Sequence, residues 1–111
     1  MTEQTNRPTA VGTVQEDNDR VRGTECRFVP GAETEPHVHQ WDYVVVPQTD
    51  GLLRIIAPDG TESHAELAQG ISYYRRAGVD HNVINAGAAE LVFIEVELKA
   101  HPIEENLEAS R

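Results

Sequence analysis

Three histidines are the residues of this 111-residue chain whose types and spacing could perform chemistry. His37 and His39 stand two positions apart, and His81 follows much later. Side chains two positions apart on a β-strand point to the same face, and neutral imidazole is the commonest protein ligand for transition metals. If the fold brings His81 opposite the pair, the chain supplies three ligands for one divalent ion.

Short β-strands must position these histidines, because apolar runs alternate with turn residues along most of the chain. The pattern predicts strands over residues 21–29, 43–46, 52–57, 61–67, 71–75, 81–84 and 91–98. The segment Pro58-Asp59-Gly60 is typical of a hairpin turn, since glycine accepts the positive φ that tight turns require. Many short strands without long helices between them indicate a sandwich or a barrel.

The length of the chain fits a single domain. We expect a disordered leader over residues 1–9, a β-barrel over residues 10–99, and a tail over residues 100–111 with the composition of a short helix. The N-terminus lacks the apolar core of a signal peptide, and no apolar run reaches the roughly 18 residues that cross a bilayer. These features predict a soluble, cytoplasmic protein.

The charge balance argues against polyanionic partners. The chain has 9 basic and 19 acidic residues, a net charge of -10, so we expect neither nucleic acid nor an anionic membrane to bind it. Cys26 is the only cysteine, which excludes an internal disulfide and fits a reducing compartment. Its alternation with Thr24 and Phe28 predicts a buried, inert thiol.

The residues around the histidines resemble the two conserved motifs of the cupin family. The matching segments are Gly31-x5-His37-x-His39 followed by Gly51, and Gly70-x5-Arg76-x-Gly78-x2-His81-x3-Asn85. The resemblance implies an all-β, single-domain cupin, a double-stranded β-helix (jelly-roll) barrel. It also implies that His37, His39 and His81 hold one divalent transition metal, which ligand type alone does not identify among Fe, Ni, Mn and Zn. The run from His37 to Pro47 is similar, more narrowly, to small bacterial cupins associated with β-alanine degradation.

The glutamate that completes the family's metal site has no counterpart at its usual position in the first motif. Tyr43 stands there and shares strand parity with the histidines, so its phenol should face the cavity. Asp42 comes one residue early and should face away unless a bulge shifts the register. Glu95 or Glu97 would restore a carboxylate if their face of the last strand turns inward. The sequence leaves open which of these residues completes the site.

Aromatic and basic side chains near the motifs are candidates for a substrate pocket. Trp41 shares parity with His39, and its pattern favours a core anchor slightly over a wall on which substrate stacks. Tyr73 and Tyr74 alternate, so one of them should face the cavity. Arg54 and Arg75 are surface charges unless one of them points inward, where it would clamp a carboxylate. Tyr43 is the candidate catalytic residue, because a neutral phenol can donate a hydrogen bond to substrate.

The resemblance implies metal-dependent chemistry on a small organic molecule, with a three-histidine dioxygenase favoured over an isomerase, lyase or cyclase. The alternative is a module that binds a small metabolite or a metal without turnover, and the missing glutamate favours it. Both faces of residues 52–57 are largely apolar, so we also expect a second copy to cover the outer face and form a homodimer.

Overall fold

A computed structural model describes residues 6–99 of the chain. Within this range the backbone forms nine β-strands and no helix, which confirms the predicted all-β fold class. The strands are β1 Val11–Asp17, β2 Val21–Phe28, β3 His37–Val38, β4 Tyr43–Pro47, β5 Gly51–Ile56, β6 Glu62–Leu67, β7 Tyr73–Arg75, β8 Asp80–Asn85 and β9 Leu91–Leu98.

The strands form two antiparallel sheets that enclose one core. A five-stranded sheet has the order β1-β2-β9-β4-β7, and a four-stranded sheet has the order β3-β8-β5-β6. Both sheets contribute alternate residues to the core, as expected when each sheet buries one face. The fully buried cluster comprises Phe28, Ala32, Tyr43, Val45, Leu53, Leu67, Val83, Leu91 and Phe93. The sheets thus pack into the barrel or sandwich that the sequence predicts.

Strand β1 and the two-residue β3 are absent from the predicted strand ranges, and β1 is the longer of the two. It pairs with β2 alone and lies at the sheet edge, where all seven of its residues are exposed. Because neither of its faces is buried, its sequence Val-Gly-Thr-Val-Gln-Glu-Asp shows no apolar alternation. The other predicted strands occur with bounds shifted by up to two residues.

Strand β9 changes character along its length. Leu91 and Phe93 belong to the buried core, and the same face continues into Glu95 and Glu97, which line a cavity. Ile94 and the other apolar residues that alternate with the glutamates on β9 lie on the opposite face of the strand. That face is directed away from the cavity. The interior of the barrel is therefore apolar at one end and polar at the other, and the polar end contains the histidines.

The outer face of β5 is the face that we expect a second copy to cover. Leu53 and Ile55 point inward, whereas Leu52, Arg54 and Ile56 lie on the outer side and are only partly exposed. The homodimer stays a prediction.

The ends of the described range bear on the predicted domain limits. Arg7 pairs with Glu33 at 3.3 Å, and Thr9 forms a parallel bridge with Glu33, so the part of the predicted leader that is described lies against the barrel. Residues 1–5 and the tail predicted over residues 100–111 lie outside the described residues. The described part of the chain has no helix long and apolar enough to cross a membrane.

Asn85 ties the end of the second motif to the rest of the barrel. Its side chain is 2% exposed, and its Nδ2 donates to the carbonyl oxygens of Phe28 at 3.1 Å and Ala89 at 2.9 Å. Its Oδ1 accepts from the Gly87 amide at 2.9 Å. One buried amide therefore satisfies backbone groups at the end of β2 and in the β8–β9 turn.

Replacing Asn85 by alanine should lower the free energy of unfolding by about 1–3 kcal/mol, because it strands the buried Phe28 carbonyl and removes two part-buried hydrogen bonds. Urea denaturation would measure the loss. The control is Gln48→Ala, which removes an exposed amide bonded only to the Val46 carbonyl oxygen and should change stability by no more than about 0.5 kcal/mol. Equal stability of the two variants would contradict this account of Asn85.

Candidate metal centre

The pairing of β3 with β8 places His37 directly opposite His81, with ring centroids 4.7 Å apart. His39 lies one residue beyond β3, and its backbone N–H donates to the Val79 carbonyl at 2.9 Å, which keeps it in register with β8. Its ring centroid is 4.8 Å from that of His37 and 5.3 Å from that of His81. The structure thus brings the three histidines together, and one ring nitrogen from each lies within 4.8 Å of the others.

The backbone before His37 sets the direction of its imidazole. Glu35 has a φ of 75°, which is uncommon for a residue other than glycine, and its carbonyl oxygen lies 2.9 Å from His37 Nδ1. A carbonyl oxygen only accepts hydrogen bonds, so Nδ1 carries the proton and Nε2 presents a lone pair. That Nε2 lies 3.1 Å from His39 Nε2.

The separation of the two nitrogens suits a shared metal ion. Two imidazole nitrogens, each about 2.1 Å from one ion, lie roughly 3 Å apart when their bonds are close to perpendicular. Burial, and then the neighbouring His37, lowers the pKa of both His39 and His81 to about 4. Both rings are therefore neutral at physiological pH, which is the form that binds metal.

Glu95 places a carboxylate beside the histidines. Its Oε2 lies 3.9 Å from His39 Nε2, and His39, Glu95 and Glu97 form a second group of metal-binding atoms within 4.8 Å of one another. Burial, and then the charge of Glu97, raises the pKa of Glu95 to about 7. Glu97 also lies 3.8 Å from the Arg22 guanidinium. Both glutamates that the sequence left open face the cavity, and Glu95 is the one beside His39.

Tyr43 also lies in this cavity. It is 2% exposed, and its ring stacks on that of His39 with a centroid distance of 3.9 Å and an interplanar angle of 19°. Burial raises the pKa of the phenol above its usual value, so the hydroxyl stays protonated. Asp42 points elsewhere, because it accepts hydrogen bonds from the Tyr74 hydroxyl and from the Ala77 amide.

The cavity has a volume of about 320 Å³, and apolar side chains form part of its wall. The apolar side chains come from both sheets: Val45, Leu53, Ile55, Val83 and Phe93. Cys26 is part of the wall, and burial raises the pKa of its thiol to about 12, so it is protonated at neutral pH. A small organic molecule could place its carbon skeleton against this wall.

Of the four residues expected around a substrate, the structure brings only Tyr73 into the cavity wall. Tyr74 is 50% exposed on the other face of β7, as alternation requires. Trp41 lies outside the cavity, with the Arg22 guanidinium carbon 5.3 Å and the Lys99 ammonium 5.7 Å from its ring centroid.

Arg54 lies on the outer side of the four-stranded sheet. It alternates with the inward-facing Leu53 and forms an ion pair with Glu62 at 2.6 Å. The inward-facing arginine is instead Arg75, which has the strand parity of Tyr73 and lines the cavity. The alternation of β7 could have identified Arg75 from the sequence once Tyr73 was assigned to the inner face.

Comparisons with known proteins identify the relatives of the chain. A protein of Pseudomonas aeruginosa named "Beta-alanine degradation protein BauB" is 59% identical over 93 residues, which cover 84% of this chain and 97% of the relative. No family model matches the chain.

Solved structures share the fold. A cupin domain from Bordetella pertussis is 52% identical, with a TM-score of 0.83, and the match covers 87% of this chain and all (100%) of that domain. A protein with a double-stranded β-helix domain from Klebsiella pneumoniae is 19% identical, with a TM-score of 0.68, over 87% of this chain and 82% of its own. The expected cupin barrel, a double-stranded β-helix, is thereby confirmed.

The imidazoles of His39 and His81 should titrate near pH 4 in the metal-free protein, well below the ordinary value of 6.5, because burial disfavours their charged forms. Imidazole NMR resonances followed from pH 8 to pH 3.5 would measure both midpoints. Midpoints near 6.5 would contradict the buried geometry.

The lowered pKa values of His39 and His81 also make the stability of the fold depend on pH. The unfolded chain binds these protons from about pH 6.5 downward, whereas the folded chain binds them only near pH 4, so stability should fall as the pH drops through this window. Glu95 acts in the opposite direction, since its raised pKa keeps a proton on the folded chain. The Glu95→Gln variant should therefore show a steeper loss of stability on acidification than the parent.

Proposed function

The chain belongs to the family of small cupins that includes BauB of Pseudomonas aeruginosa, and from that membership we propose that it is a metal-dependent enzyme acting on a small organic molecule. The observation that carries the proposal is the convergence of His37, His39 and His81 on one cavity wall. Three imidazoles at this spacing fit a divalent iron, nickel, manganese or zinc ion. Glu95, beside His39, is the carboxylate best positioned to join them.

A metal bound by these histidines would supply Lewis-acid chemistry or, in the case of iron, oxygen chemistry, and we favour a dioxygenase-like reaction. The remaining steps fall to the residues of the chain. Tyr43 donates a hydrogen bond from its protonated hydroxyl and orients the substrate. The apolar wall, with Leu53 and Phe93, holds the carbon skeleton and excludes water. Tyr73 closes the side of the cavity formed by β7.

The name of the Pseudomonas aeruginosa relative supports a metabolic role. That protein is named for β-alanine degradation, and its 59% identity extends over most of both chains. We extend the role to this chain: its substrate would be a small metabolite in the breakdown of β-alanine. The cavity volume of about 320 Å³ is adequate for a molecule of this size.

A binding module without turnover is the second candidate. Tyr43 occupies the position of the usual motif glutamate, so the first motif alone lacks the carboxylate typical of the family. A cavity of this kind could capture a metabolite or a metal and release it unchanged. Metal content and oxygen consumption distinguish the candidates.

Protein purified without a histidine tag or chelator should contain about one equivalent of a divalent transition metal, and the His37→Ala/His39→Ala double variant should contain none. Elemental analysis would measure both. The control is His64→Ala, because His64 is exposed on β6, outside the cavity, and its loss should leave the metal content unchanged. An unoccupied parent, even after anaerobic loading with iron, would contradict the metal-dependent function.

Iron-loaded protein should consume oxygen in the presence of one member of a panel of thiols, diketones and amino acids. His81→Ala should abolish the uptake, and Tyr43→Phe should slow it by about tenfold or more through loss of the hydroxyl donor. Tyr74→Phe is the matched control, since that hydroxyl contacts Asp42 outside the cavity. Saturable binding of a panel member without uptake would favour the binding module.

A further inference from the structure

Arg75 is the one cationic side chain among the residues that line the cavity within residues 6–99. Strand register places it in a row with Tyr43 on β4 and Glu97 on β9, all on the inner face of the five-stranded sheet. The next row of that face contains Tyr73 and Glu95. The guanidinium therefore belongs to the chamber that contains the histidines, on the opposite side of Tyr43 from the glutamates.

The environment of Arg75 orients the guanidinium but does not neutralise it. Its guanidinium carbon lies 4.5 Å from the centroid of the Tyr73 ring, and Nη1 donates to the Tyr74 carbonyl oxygen at 3.1 Å. Arg75 forms no ion pair with a carboxylate in the described part of the chain. A guanidinium has five N–H donors in a fixed plane, so most of them are available to a ligand.

The two glutamates that line the cavity, unlike Arg75, lie close to side chains of opposite or potentially opposite charge. Glu97 lies 3.8 Å from Arg22, and Glu95 lies beside His39. Arg75 is an exposed residue that also lines the cavity, so solvent stabilises its charge and its donors face the open side of the chamber. Aromatic stacking accounts for the position of the guanidinium, but it leaves the charge and the fork of donors unused.

We infer that Arg75 is a specificity-determining residue that binds the carboxylate of a small organic acid, whose remaining atoms extend past Tyr43 toward the three histidines. The inference rests on the proposed function, because it defines one end of the same substrate pocket. A carboxylate matches the planar donors of a guanidinium in a bidentate contact. The nearby glutamates would repel a ligand of higher negative charge, which favours a carboxylate over a phosphate ester.

The experiment measures binding of two monocarboxylates, propionate and butyrate, with propionamide as the neutral isostere of propionate. Isothermal titration at pH 8 on chelator-treated protein removes any contribution from carboxylate binding to a metal, and His39 and His81 are neutral at that pH. The variants are Arg75→Gln and Arg75→Lys. Arg76→Gln is the matched control, because Arg76 is the adjacent arginine and is exposed like Arg75 but absent from the cavity wall.

We expect the parent and Arg76→Gln to bind the carboxylates and to prefer propionate over propionamide. Arg75→Gln should weaken carboxylate binding by about tenfold or more and remove that preference, whereas Arg75→Lys should retain part of it. Equal affinities of the parent and Arg75→Gln, or no carboxylate binding by the parent at the highest soluble concentration, would overturn the inference.

A zinc titration of the same variants separates this inference from the proposed function. Arg75→Gln should bind zinc as the parent does, since Arg75 is not among the metal-binding atoms. Carboxylate binding that depends on Arg75 in a protein that binds no metal would support the inference and contradict the proposed function. Metal binding together with a carboxylate affinity that Arg75→Gln leaves unchanged would support the proposed function and contradict the inference.

Discussion

The site depends on the antiparallel pairing of a two-residue strand, β3, with β8. That pairing sets His37 opposite His81, and the hydrogen bond from the His39 amide to Val79 extends the register by one residue. The Gly78 amide in turn donates to the His39 carbonyl at 2.8 Å. Few backbone bonds thus fix the relative position of two motifs that are far apart in sequence. Their precision comes from the surrounding sheets, since so short a strand has little stability alone.

The interior of the barrel is divided into an apolar end and a polar end. At one end, Phe28, Leu91 and their neighbours form a core without polar side chains apart from the fully bonded Asn85. At the other end, imidazoles, carboxylates and phenols share a water-accessible chamber. Burial is incomplete there, yet it is sufficient to keep two histidines neutral and to hold a proton on Glu95 near pH 7. The same strands therefore contribute apolar residues to the core at one end of the barrel and polar residues to the chamber at the other.

Much of this arrangement could be predicted from the sequence, because the histidines fall in motifs and the inner strands alternate clearly. Period-two alternation also predicted that Tyr43 faces inward and Asp42 does not. Prediction failed where alternation is absent, and it stayed open where both faces of a strand carry apolar residues. Strand β1 is exposed on both faces, so no pattern marks it. On β9 the continuous apolar face is the outer one, and the two glutamates belong to the interior. Alternation separates the faces of a strand but does not tell which face is inside.

Arginine placement illustrates the same limit. Arg54 and Arg75 both stand in strands beside apolar residues, and composition does not distinguish them. The register of each strand decides: Arg54 pairs across the sheet with His64 on the outer face, whereas Arg75 pairs with Tyr43 on the inner face. Register is a property of long-range pairing, which a single sequence does not display directly.

The position of Cys26 bears on the chemical durability of the protein. Thiols are oxidised and alkylated through the thiolate, and the progression from sulfenic to sulfonic acid begins there. Cys26 lines the same chamber as the histidines, yet burial and the nearby glutamates raise its pKa to about 12, which leaves almost no thiolate at neutral pH. The barrel thus exposes a sulfur atom to whatever enters the chamber and suppresses its reactivity by the same desolvation that keeps His39 uncharged. The thiol of Cys26 should therefore react slowly with electrophiles and peroxides despite its place in the chamber wall.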